Sequence, residues 1–177
     1  MRYRRAWVPG GTYFFTVTLA DRSQPLLTEH IDLLRQSVRD VRARHPFTIL
    51  AMAVMPEHLH AIWQLPEGDS AYSTRWALIK AAFSRALLPS EHISLSRHLK
   101  RERGVWQRRY WEHCIRDAED LSRHIDYIHF NPVKHGYAKR PIDWPYSSIH
   151  RYVRAGLLPE DWAGETANCR LGRATLG

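Results

Sequence analysis

The sequence predicts an α+β fold: a ferredoxin-like (split βαβ) sandwich, with a mainly antiparallel sheet, helices on one face and an appended C-terminal helix. Two observations predict it. Apolar residues follow the order strand, helix, strand, strand, helix, strand, and breakers such as Gly10-Gly11, Pro46, Pro56 and Pro89 separate the segments. A chain of 177 residues with 44% hydrophobic content is also long enough to fill one core.

The elements follow in chain order. Tyr13 to Leu19 (YFFTVTL), rich in aromatic and β-branched residues after a Gly-Gly turn, reads as the first strand. From Thr28, an expected N-cap, Ile31, Leu34, Val38 and Val41 recur at helical spacing as far as His45, before Pro46. Thr48 to Met55 and His58 to Leu65 are apolar runs broken at Pro56-Glu57, which predicts two antiparallel strands joined by a tight turn. A second helix is expected over Ser73 to Leu88, with Trp76, Ile79, Phe83 and Leu87 on its apolar stripe and Pro89 ending it. Residues 90–104 have no firm period and read as a loop, and Val105 to Ile115 reads as a strand flanked by charge. Asp117 caps a third helix whose buried stripe is Leu121, Ile125 and Ile128, with Asn131-Pro132 expected to end it. We expect a domain over residues 1–154 and a tail over 155–177, which has little to bury apart from Trp162.

Charge and cysteine usage narrow the functional classes. Subtracting 18 acidic from 26 basic residues gives a net charge of +8 and a pI near 9.9, which points to a polyanionic partner, nucleic acid first. A merely soluble basic protein would show the same balance. Cys114 and Cys169 lack the spacing of a zinc knuckle or disulfide framework, so a reducing cytoplasm is the expected compartment. The basic start, Met1 to Trp7, leads into Pro9-Gly10-Gly11 instead of an apolar signal core, and no apolar run of about 18 residues follows. Neither secretion nor membrane spanning is expected.

Alternation along a strand turns His58 and His60 to one face, where two imidazoles can converge on one cation. With 11 histidines in the chain the spacing alone is unremarkable. Its setting adds weight, because Leu59, Ile62 and Leu65 make the strand apolar and unused histidines there would cost desolvation. In the last helix His124, Tyr127 and Asn131 fall at i, i+3 and i+7 and share one flank. A phenol with a pKa near 10 needs a cation or base beside it to act as a nucleophile, and a metal next to Tyr127 would help. Taken alone, Tyr127 equally fits an ordinary half-buried helix tyrosine.

The segments MPEHLH (Met55 to His60), WQRRYWEH (Trp106 to His113) and DYIHFNPVKHG (Asp126 to Gly136) resemble the REP-associated tyrosine transposases, which belong to the HUH single-tyrosine endonucleases. The resemblance runs from about Tyr3 to Tyr152 and rests on three ordered motifs. It implies that His58, His60 and Asn131 are metal ligands and that Tyr127 is the nucleophile. Glu57 stands where such proteins often carry an amide or Asp, and its side chain is expected to point away from the site. A mixed nitrogen and oxygen site suits Mg²⁺ or Mn²⁺; the imidazoles lean towards Mn²⁺, and the resemblance implies Mg²⁺. It further implies cleavage and transfer of single-stranded DNA through a 5′-phosphotyrosine link, with repetitive extragenic palindromes folded as hairpins for substrate, by a monomer without an obligate protein partner.

DNA contacts are expected from Arg2, Arg4 and Arg5, from Lys80, and from Lys100, Arg101, Arg103, Trp106, Arg108, Arg109 and Tyr110. Individually, each cation fits a solvated surface, and Trp106, Tyr110 or Trp111 fits a core. His113 and His124 either support the phosphate or a metal ligand from behind or satisfy a buried neighbour. Two rivals remain: a ferredoxin-like DNA-binding module that catalyses nothing, and a metal-dependent phosphodiesterase that activates water and leaves Tyr127 aside.

Overall fold

The computed structural model describes residues 7–88, 95–99 and 103–164. Four strands form one sheet: β1 (Thr12–Thr18), β2 (Thr48–Val54), β3 (His58–Gln64) and β4 (Trp111–Cys114), in the order β2-β3-β1-β4. All three pairings are antiparallel, which is the split βαβ arrangement expected from the order of the elements.

Side-chain alternation divides the sheet. Tyr13, Phe15, Val17, Leu59, Ala61 and Trp63 point to one face, where α2 (Ile31–Arg44) and α3 (Tyr72–Ala86) cover them. Trp63 of the sheet stacks on Trp76 of α3 at 4.1 Å between ring centroids. Phe14, Ala51, Ala53, Met55 and Ile62 point to the other face, where Ile128 of α5 (Ala118–Lys134) buries them. The helix read as an appendage therefore closes the second layer of the protein.

Several boundaries differ from expectation, each for a local reason. Thr28 does not cap α2: its hydroxyl donates to the Pro25 carbonyl (3.2 Å) within the one-turn helix α1 (Leu26–Glu29), and α2 starts at Ile31. A short helix, α4 (Leu95–Leu99), occurs within the segment read as a loop. Only the second half of the expected 105–115 strand is strand, because Trp106 makes a single bridge to Leu19 before the chain reaches β4. Asp117 does cap α5, accepting from the Asp120 amide at 2.8 Å.

Asn131-Pro132 does not end α5, which runs to Lys134. A proline in the last turn forgoes one backbone bond, and the stop lies at Gly136 instead. Gly136 takes φ 76°, the Tyr137 amide donates to the Pro132 carbonyl (2.9 Å), and the Gly136 amide donates to the Val133 carbonyl (3.0 Å). These paired bonds satisfy carbonyls that a helix end otherwise leaves open.

Past α5 come a 3-10 turn (Pro141–Asp143) and α6 (Ile149–Arg154). Ser148 joins this segment to the sheet, its amide donating to the Met52 carbonyl (2.7 Å) and its hydroxyl accepting from the Met52 amide (2.9 Å). Of the residues read as a tail, 155–164 are described, and Trp162 lies 6.1 Å from the His129 ring of α5. Among the described residues no helix is long and apolar enough to cross a membrane.

Candidate active site

The α5-facing side of β3 carries His58 and His60, as alternation requires, with ring centroids 4.9 Å apart. Helix α5 lays Tyr127 and Asn131 over them, and the Tyr127 ring stands 5.2 Å from that of His60. Phe14 of β1 is the common floor, contacting His60 (5.5 Å), Tyr127 (5.9 Å) and His124 (4.9 Å). The structure thus brings together His58, His60, Tyr127, Asn131 and His124.

Both imidazoles are held from behind by Nδ1. His58 Nδ1 donates to Glu57 Oε1 at 2.9 Å, and His60 Nδ1 lies 2.9 Å from Thr16 Oγ1. When Nδ1 carries the proton, Nε2 is left with a lone pair towards the site. Burial lowers the pKa of His58 and lowers that of His60 further, so both favour the neutral state that binds cations.

Glu57 does not point away, as expected, but supports His58. Its second oxygen accepts from the Tyr137 hydroxyl at 3.0 Å. Burial would raise this carboxyl's pKa, but His58 and Tyr137 outweigh it and hold it below the usual range. Sequence reasoning missed this role because residues adjacent in a strand point to opposite faces, whereas Glu57 sits in the turn before β3.

Asn131 is fully buried, at 0% exposure, and His60 is 3% exposed. His60 Nε2, Asn131 Oδ1 and Asn131 Nδ2 are buried without a hydrogen-bond partner among the described residues. The Asn131 amide does sit close enough to both imidazoles for hydrogen bonding to favour their protonated forms, although no contact reaches full hydrogen-bond geometry. Unpaired buried polar atoms are costly. A ring nitrogen and an amide oxygen left open side by side are the donor set of a small divalent cation.

The extra helical turn adds two groups that sequence reasoning missed. Lys134 Nζ lies 4.9 Å from the centre of the Tyr127 ring. The His135 ring lies 5.1 Å from that of His58. Ending α5 at Asn131 had hidden both, although Gly136 was a readable stop signal.

His113 and His124 form a second cluster with Asp120, their ligand-type atoms lying within 4.8 Å of one another. Its composition is that of a possible metal site, yet its atoms are already engaged. Asp120 Oδ2 accepts from His113 Nε2 (2.8 Å), the Arg116 amide (3.0 Å) and Arg116 Nε (3.2 Å). His124 Nδ1 donates to the Asp120 carbonyl at 2.8 Å. Against the cost of burial, His113 and Arg116 hold the Asp120 carboxyl far below its ordinary pKa.

The expected DNA contacts are divided. Arg2, Arg4, Arg5, Lys100 and Arg101 lie outside the described residues. Lys80, Arg103, Trp106, Arg108 and Tyr110 gather along a groove of about 630 Å³ beside α3, across the sheet from His58 and His60. Trp106 is only 7% exposed and packs on Phe83 at 5.4 Å, and Arg103 donates to the Ser84 and Leu87 carbonyls near the end of α3. Arg109 is exposed.

A split βαβ sheet that sets two buried strand histidines against a helix tyrosine and asparagine defines the class of the HUH transposases. The family described as "Transposase IS200 like" matches residues 8–131. A Haemophilus influenzae relative is 48% identical over 164 residues, covering 92% of this chain and 93% of its own. The REP-associated tyrosine transposase of Escherichia coli K12 is 45% identical over 174 residues, 98% of each chain. A solved structure of a REP-associated tyrosine transposase bound to a REP hairpin superposes with a TM-score of 0.83 at 43% identity, over 100% of this chain and 99% of that one. The chain belongs to the IS200-like transposase family, among its REP-associated tyrosine transposases.

Proposed function

We propose that this transposase cleaves and rejoins a single DNA strand at a REP-type hairpin, with Tyr127 as nucleophile and His58, His60 and Asn131 as ligands of Mg²⁺ or Mn²⁺. The observation that carries this reading is the set of unpartnered buried atoms, His60 Nε2 and the Asn131 amide, beside the Tyr127 ring. The relative solved with a REP hairpin supports the substrate class.

A bound divalent ion would supply Lewis-acid polarisation of a phosphate oxygen. Glu57 and Thr16 hold the two imidazoles by Nδ1, so the ligands are preorganised. Asn131 stands one helical turn beyond Tyr127, which fixes ligand and nucleophile on one rigid element. The Tyr127 oxygen attacks phosphorus as its proton passes to solvent water, the bond from phosphorus to the 3′ oxygen breaks, and that oxygen takes a proton from solvent to leave as a hydroxyl. The product is a 5′-phosphotyrosine link, which the free 3′-hydroxyl reverses when the strand is resealed or transferred. The Lys134 ammonium beside the ring adds positive charge where the phosphate must sit. The working unit is a monomeric domain spanning residues 1–154, acting in the cytoplasm, with 155–177 as an accessory segment.

Incubation with a palindromic single-stranded oligonucleotide and Mg²⁺, resolved on a denaturing gel, tests this directly. The wild type forms a protein-linked oligonucleotide, whereas Tyr127→Phe binds the DNA and forms none. Cleavage of equal extent by Tyr127→Phe would return the reaction to activated water.

A further inference from the structure

Alternation along the edge strand β4 sends Glu112 inward with the α3-side core and Trp111 and His113 to the face that holds Tyr127. Trp111 is 41% exposed there, whereas Trp63, Trp76 and Trp106 are buried. Trp7 is also exposed, but it is stacked on Tyr72 at 4.8 Å. An indole left open to water on a sheet whose other tryptophan, Trp63, is packed forgoes burial energy that ligand contact can recover.

The underside of this ring is built. Trp111 lies nearly parallel to His113 (7°, centroids 5.9 Å apart), and His113 lies nearly parallel to His124 (14°, 4.8 Å). Asp120 ties both imidazoles down through His113 Nε2 (2.8 Å) and His124 Nδ1 (3.2 Å to Oδ1). The stack is therefore ordered before any ligand arrives, which lowers the entropy cost of binding on it. Two guanidiniums line the rim: Arg116 and Arg123 reach Asp120, with side chains 68% and 40% exposed, and Arg123 also pairs with the exposed Glu119 at 3.2 Å. Two ring contacts lead from the platform to the nucleophile, Trp111 to Phe14 at 5.7 Å and Phe14 to Tyr127 at 5.9 Å.

We infer that Trp111, backed by His113 and His124, is a stacking platform for an unpaired nucleobase next to the phosphate that Tyr127 attacks. The inference rests on the strand-cleavage reading for the position of that phosphate. An aromatic face with a guanidinium rim matches a base with its attached phosphates, and stacking tolerates any base because each has a π-face. The His113, Asp120 and His124 cluster thereby acquires a role as the footing of the platform.

The test measures affinity of wild type, Trp111→Ala and Trp111→Phe for a palindromic hairpin with single-stranded flanks, and for versions in which each flanking nucleotide in turn is abasic. Trp111→Ala should bind about tenfold more weakly, and Trp111→Phe should keep most of the affinity. One abasic position should weaken the wild type by a similar factor yet cost Trp111→Ala almost nothing more. Effects that add at every position overturn the inference, as does unchanged binding by Trp111→Ala. A dimer that Trp111→Ala converts to monomer without loss of DNA affinity also overturns it, making β4 a self-pairing edge. Adduct formation is scored on the same hairpins: an adduct with additive effects sinks only the platform, and coupling without an adduct sinks only the cleavage reading.

Discussion

At Glu57 the carboxylate accepts from His58 Nδ1 on one side and from the Tyr137 hydroxyl on the other, so a residue outside the ligand set fixes the ring that offers Nε2. Carboxylates behind metal-binding histidines raise ligand basicity, and losing one typically costs 10- to 100-fold in metal affinity. Glu57→Gln keeps the shape and the acceptor oxygen but removes the charge. Calorimetric titration with Mn²⁺ should show affinity lowered by about tenfold at unchanged stoichiometry; equal affinity would mean that Glu57 only fills space. The histidine pair was legible because alternation in a strand is a local rule. The Glu57 contact was not, since the turn geometry that directs its side chain depends on Tyr137, which is 80 residues away in the chain.

At the scale of the element, α5 matters most, because it carries Tyr127, Asn131 and Lys134 in register along one helix. Its start was legible in Asp117, whose side chain accepts the Asp120 amide. Its end was misread, because a proline disfavours helical backbone at the residue before it, whereas here the helix continues through Pro132 and Gly136 closes it. A Cβ at Gly136 would meet nothing within 4 Å, so the cost of Gly136→Ala is conformational. It should destabilise the chain by about 1 kcal/mol and lower Tm by about 2–4 °C, with faster amide exchange in the last turn. An unchanged melting curve would show that the closing bonds do not need the left-handed conformation. The 105–115 segment was half legible: β-propensity marked its apolar and aromatic content, but only pairing with β1 decides which part is strand.

Across the whole molecule, the net charge of +8 and the pI near 9.9 describe a protein suited to a polyanion, and the family to which it belongs is consistent with that. Phosphate contacts release counterions, so hairpin affinity should fall steeply with salt, with a slope of about −0.7 to −0.9 per contact on logarithmic axes. A binding series between low and physiological salt measures this, and a flat response would remove phosphate neutralisation as the main source of affinity. The sequence by itself determined what local periodicity determines: the order of elements, the shared face of His58 and His60, and the one-turn step from Tyr127 to Asn131. Only the tertiary structure decided that α5 covers the face opposite α2 and α3, that Trp106 is buried while Trp111 is open, and that Glu57 turns to His58. The division is physical: neighbours within an element are set by backbone geometry, whereas contacts between elements are set by which surfaces exclude water together.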